Sequence, residues 1–175
     1  MLMTVEELKQ YITTDKSDSV LEGMLRAIEL AIRGYTNNTF QQRGYRTEAD
    51  ILGGLFVAEA LQPFNVGDTI QVSQSEFNNG LYVITETTDA TFAIAESLHD
   101  ESDVLVTKVV YPSDVKYGAA KMIKWELESG GKVGIQSESI SRHSVTYFSM
   151  DASNSVMGYP KSLTGFLKPY RKARC

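Results

Sequence analysis

The spacing of apolar residues changes twice along this chain, and those two changes limit the folds open to it. Up to Tyr35 apolar side chains recur every three or four residues, after Asn37-Asn38 they alternate with polar ones, and at Tyr111-Pro112 the wider spacing returns. Side chains repeat about every 3.6 residues around a helix and every second residue along a strand, so the order is helix, strand, helix. The expected fold class is α+β: a small helical bundle of three main helices and a C-terminal arm, with an inserted antiparallel β-barrel or sandwich. The expected division is a helical part over 1–42 and 111–150, a β part over 43–110 and an arm over 151–175.

The longest helical pattern is Ser19–Tyr35, SVLEGMLRAIELAIRGY. At about 100° per residue, Val20, Leu21, Met24, Leu25, Ile28, Ala31, Ile32 and Tyr35 form one apolar arc. Glu22, Arg26, Glu29 and Arg33 form a charged strip expected to face water, with each glutamate four residues ahead of an arginine. The remaining strip, Gly23, Ala27, Leu30 and Gly34, is uncharged and nearly without side chains, so another backbone could approach it closely. Two glycines inside a helix cost roughly 1 kcal/mol each relative to alanine, which points to packing on two sides. The second side is either another subunit or another element of the same chain.

Two Ser/Thr-x-x-Glu boxes, Thr4–Glu7 and Ser19–Glu22, mark helix starts, and Met3 with Leu8 is placed to staple the first. Between the helical parts, Asp68–Ser73, Leu81–Glu86, Thr91–Ala95 and Val104–Val110 are rich in β-branched and aromatic residues, and Tyr45–Leu52 gives a further strand. Asn78-Asn79-Gly80 is expected to turn a hairpin through positive φ, and Val66-Gly67-Asp68 to bend the chain into the strand that follows. Pro112 opens the next helix, whose inner face is Val115, Ala119, Met122 and Ile123, with Gly130-Gly131 at its end. Glu126 lies near its apolar arc, where a carboxylate either meets a partner or bends out to water. Ser144–Phe148 gives a strand and 151–158 a linker; Tyr159-Pro160 then opens a short helix with Leu163, Phe166 and Leu167 on one face, stopped by Pro169. That segment docks either on a partner or back on its own chain.

The net charge of −5 hides an asymmetry. Residues 161–175 hold five basic residues and no acidic one, leaving 12 basic against 22 acidic in the first 160. Such a tail is either a solvated terminus or a contact for phosphates or an acidic protein surface. No apolar run reaches the roughly 18 residues that span a bilayer, and the acidic N-terminal stretch is unlike a signal peptide. His99 and His143 lack neighbours at metal-ligand spacing, Gly53-Gly54 and Gly130-Gly131 belong to no phosphate-cradling motif, and the serines around His143 lack a general base. No enzyme active site, cofactor or metal is expected.

The segments MTVEELKQYI, DSVLEGMLRAIELAIRGYTNNTF, YPSDVKYGAAKMIKWELES and GIQSESISRHSVTYFSMDASN with GYPKSLTGFLKPYRKARC resemble the head-tail connector proteins of long-tailed bacteriophages, also called adaptor or head-completion proteins. The resemblance covers roughly 1–40 and 111–175; the β segment departs from the smallest members. It implies a structural virion protein at the head–tail interface, assembled in the host cytoplasm as a homo-oligomeric ring, usually dodecameric. The ring would sit below the portal protein, present a surface to the stopper or tail-completion protein, and let DNA pass transiently and non-specifically through its lumen. Carried onto this chain, portal docking falls to Leu163, Phe166, Leu167, Pro169, Tyr170, Arg171, Lys172 and Arg174, while Gly23, Ala27, Leu30 and Gly34 suit subunit packing. An acidic body lining the passage is not expected to bind DNA tightly. The alternative is a nucleic-acid-binding module built from the β insertion and the basic tail, with Tyr82 and Phe92 as stacking platforms.

Overall fold

A computed structural model describes residues 1–58, 64–129, 137–140, 143–146 and 154–173. The chain divides into two units: a barrel unit of Met1 and Thr39–Tyr111, and a helical unit of Leu2–Asn38 and Pro112–Cys175.

The barrel unit contains six strands: β1 (Gln41–Leu52), β2 (Leu55–Val57), β3 (Thr69–Ser73), β4 (Gly80–Thr87), β5 (Thr91–Ile94) and β6 (Glu101–Val109). They close in the order β1-β2-β5-β4-β3-β6, all antiparallel. A closed sheet leaves no strand edge exposed to other chains. Inward residues from every strand fill it, including Ile51, Phe56, Ile70, Val72, Ile84, Phe92, Val104 and Val106, each almost without solvent exposure. Phe56 and Phe92 sit opposite each other on β2 and β5, stacked at 4.6 Å, and Phe64 tilts onto Phe92 at 5.5 Å. Phe92 is thus a core residue, whereas Tyr82 packs against the core from its edge and donates its hydroxyl to the Asn78 carbonyl at 3.1 Å.

Two turns differ from expectation. Gly53 and Gly54 both adopt positive φ, 58° and 82°, and turn β1 into β2, a three-residue strand too short for alternation to reveal. At the β3–β4 connection Gln74 takes the positive φ of 58°; Asn78 and Asn79 do not, and act through their side chains instead. Gly67 does bend the chain into β3, with φ of 88° and its N–H donating to the Ile84 carbonyl.

In the helical unit, α1 (Val5–Lys9) is capped by Thr4, whose hydroxyl accepts from the Glu7 amide at 3.1 Å. Glu7 does not complete the box at Thr4; its carboxylate takes Lys116 at 3.1 Å. α2 (Asp18–Thr36) begins ahead of the expected box, with Ser17 at the cap position and no side-chain hydrogen bond there. Its buried residues are Leu21, Leu25, Ile28, Glu29, Ile32 and Thr36, so the buried stripe is rotated by roughly 60° from the apolar arc. Val20 is left 47% exposed and Glu29 is only 4% exposed. The charged strip therefore does not all face water: Glu29 lies along the same line as Leu25 and Thr36 and is carried inward with them.

α3 (Ser113–Ser129) buries Val115, Ala119, Met122 and Ile123 as expected; its expected glycine stop at 130–131 lies outside the described residues. β7 (Ser137–Ile140) and β8 (His143–Thr146) form an antiparallel hairpin that includes part of the expected Ser144–Phe148 strand. Within the expected linker, β9 (Ser155–Val156) pairs with β10 (Tyr159–Pro160) across Met157 and Gly158, both at positive φ. α4 (Lys161–Thr164) follows, then a 3₁₀ helix over Gly165–Tyr170 that contains Pro169 rather than stopping before it.

Gly118 on α3 has no room for a side chain. A Cβ there would lie 2.3 Å from the Phe166 ring, whereas a Cβ at Gly23 or Gly34 would meet nothing within 4 Å. Gly118→Ala is expected to lose about 1–3 kcal/mol through overpacking, less about 1 kcal/mol returned by helix propensity. Gly23→Ala is expected to gain about 0.5–1 kcal/mol. Urea midpoints read by fluorescence of Trp125, which packs edge-on to Tyr159 at 5.6 Å, test both signs; equal midpoints for the two variants would contradict this packing.

Candidate interaction surfaces

Three surfaces stand out, two in the helical unit and one in the barrel unit. The first is the small-residue strip of α2. Gly23, Ala27, Leu30 and Gly34 are all exposed, Leu30 at 65%, and no described part of the chain covers them. Leu30 is the one large side chain in the strip, flanked on either side by nearly bare backbone.

The second is the C-terminal segment, which is clasped to its own unit. Leu167 is fully buried and Thr164 3% exposed, while Phe166 lies over Gly118 and is partly buried, as is Leu163. Tyr170 donates its hydroxyl to both Asp114 carboxylate oxygens at 2.7 and 2.9 Å, which pushes its pKa up, first through that hydrogen bond. The end of α2 holds the same segment. Asn37, in the left-handed conformation that closes the helix, donates from its side chain to the Ala173 carbonyl at 2.8 Å; Asn38 donates to the Tyr170 carbonyl at 3.2 Å. The Lys172 amide donates to the Thr36 carbonyl at 2.8 Å, and the Arg171 guanidinium lies 5.1 Å from the Tyr35 ring.

Pro169, Arg171 and Lys172 stay exposed, and Arg174 lies outside the described residues. Farther up the segment, Tyr159 donates to the exposed Glu126 carboxylate at 2.6 Å, giving that residue its partner; burial, and then this bond, drives the Tyr159 pKa up. The residues assigned to docking are thus gathered on one segment, but Leu167 faces inward. Asn37, Asn38, Asp114 and Gly118, which hold the segment, carried no sequence signal beyond Asn37-Asn38 as a helix boundary and Pro112–Asp114 as a helix start.

The third surface is the end of the barrel formed by the loops 53–54, 74–79 and 95–100. Glu101 ties it together. Its carboxylate accepts from the Ser75 hydroxyl and the Glu76 amide, both at 2.5 Å, and from the Asn78 side chain at 2.9 Å. The Ser75 bond is the main reason that the Glu101 pKa is lowered.

No helix among the described residues is long and apolar enough to cross a membrane. No known protein family matches this chain, and no curated protein matches it.

A carboxylate whose folded pKa is depressed stabilises the fold above its unfolded pKa, and that contribution is lost as pH falls through the folded value. The Glu101 bracing of the loop should therefore hold at neutral pH and fail in acid below the ordinary glutamate range. Ser75→Ala should move the midpoint of the Glu101 carboxyl ¹³C titration upward. A midpoint unchanged by that substitution would contradict the assignment.

Proposed function

We propose that this chain is a structural adaptor without catalytic activity: a ring-forming head-tail connector that attaches below a phage portal and offers a stopper or tail-completion protein its binding surface. The observation that carries the reading is the exposed strip of α2. A 19-residue helix retaining two glycines with open space around them forfeits roughly 2 kcal/mol of helix propensity with no return from the described residues of its own chain. A neighbouring subunit seated on Gly23, Ala27, Leu30 and Gly34 supplies the missing return, and a head-to-tail contact of this kind closes into a ring when the rotation allows. In this reading α1, α2, α3 and the C-terminal segment act as one small bundle, the rigid frame of each subunit.

The clasp refines how the C-terminal segment meets the portal. Pulling Leu167 out of its site costs about 1.5–3 kcal/mol of burial, so Leu167, Phe166 and Tyr170 serve best as the base that holds the segment. Pro169, Arg171 and Lys172, exposed on its outer side, with Arg174 beyond them and Leu163 at its start, meet the partner. A nucleic-acid-binding module is less well supported. The barrel unit carries 3 basic against 11 acidic residues, and phosphate binding draws on many cationic contacts.

The test is capture of the full chain by purified portal protein. Lys172→Glu, which leaves the Arg171–Tyr35 contact and the Lys172 backbone bond in place, should keep the unfolding free energy within about 0.5 kcal/mol of the parent, as exposed substitutions do, while reducing portal capture about threefold or more. Undiminished capture would refute the docking role.

A further inference from the structure

The loop end of the barrel displays an aromatic side chain on a rigid base. Asn78, 2% exposed, donates to the His99 carbonyl at 3.0 Å and accepts from the His99 amide at 2.9 Å, joining loop 74–79 to loop 95–100. Asp100 accepts from the Gly53 amide at 2.8 Å and brings in the β1–β2 turn. These loops share the end of the β1–β6 pair away from Gln41 and Val109. From this braced tip Phe77 projects 62% exposed, its ring tilted against His99 at 5.4 Å.

Single exposed apolar residues are ordinary. What distinguishes Phe77 is that its loop is already ordered, so an interaction there would incur little further entropy loss. Its surroundings are also one-signed. Residues 47–107 contain no lysine or arginine and all 11 acidic residues of the barrel unit, with Glu76, Glu96, Asp100 and Asp103 exposed around the tip. An apolar anchor within a charged rim is the layout of an interface hot spot, and the rim here requires a cationic partner.

The chain itself carries a surface of that chemistry. Five of the helical unit's 14 basic residues lie in 161–175, and the match to the tip is local, at Lys121 of α3. On that unit Tyr11 and Tyr117, 44% and 48% exposed, pack their rings 5.7 Å apart, and the Lys121 ammonium lies 4.2 Å from the Tyr117 ring; Lys124, one turn along α3, pairs with Glu128 at 3.9 Å. We propose that the Phe77 tip of one copy docks on the Tyr11–Tyr117–Lys121 patch of a second copy. Barrel-to-barrel contact is disfavoured because it sets like charges together, and a contact between unlike surfaces repeats from copy to copy. The proposal rests on the self-association in the adaptor reading and is independent of portal docking.

The experiment places the photo-crosslinker p-benzoylphenylalanine at position 77 of the full chain and irradiates a mixture of ¹⁴N- and ¹⁵N-labelled protein. Mixed-isotope crosslinks from position 77 to peptides containing Tyr11, Tyr117 or Lys121 are expected. Phe77→Ala and Lys121→Glu should each weaken self-association about tenfold or more, and the parent's association should weaken as salt screens the contact. Crosslinks that are absent, intramolecular only, or directed to barrel peptides overturn the proposal. If the same sample still sediments as a large assembly, the adaptor reading survives that failure.

Discussion

The pairing of β1 with β6 is the constraint on which the rest of the barrel unit depends. It joins the first and last strands, so it closes the sheet and also brings together the two points at which the chain enters and leaves. Gln41 pairs with Val109, the Val110 amide donates to the Phe40 carbonyl at 3.0 Å, and the Phe40 and Tyr111 rings lie 4.9 Å apart. An insertion whose ends meet in this way places little demand on the spacing of the helical segments around it. The cost falls on β1, whose register slips between Gln41 and Arg46 and again between Ala49 and Ile51 as it bends around the closed sheet.

Alternation made the barrel legible where strands were long enough to alternate. β3, β4, β5 and β6 lie where β-branched and aromatic residues cluster, and Phe92 and Ile84 face inward as their positions require. β2 was hidden because three residues carry no period, although Gly53-Gly54 was the turn signal that pointed to it. The asparagines after Phe77 were legible as turn residues, but their means of turning was not: besides the local bond to Ser75, Asn78 bonds His99 and Glu101, partners 21 and 23 residues away in sequence.

For α2, periodicity located the helix but not its rotation. Hydrophobicity alone centred the buried face on the apolar arc, whereas packing carried Glu29 inward and left Val20 outside. The uncharged strip, by contrast, was legible because two glycines inside a helix carry a propensity cost, and the structure leaves Gly23, Ala27, Leu30 and Gly34 exposed. The C-terminal segment was legible as an apolar face on a basic tail. Its clasp through Gly118, Asp114, Asn37 and Asn38 was not, since each contact joins residues distant in sequence. Charge was legible throughout: the tail's excess is visible in the sequence, and the expected β segment 43–110 already holds the 3 basic and 11 acidic residues of the barrel unit.

In the adaptor reading, copies of this chain associate through surfaces that the described residues of one copy leave uncovered. Native mass spectrometry of the purified full chain, alone and mixed with portal protein, tests it most directly. A closed homo-oligomer is expected in at least the mixture, dodecameric if the resemblance to head-tail connectors carries through. A chain that remains monomeric in both samples would contradict it.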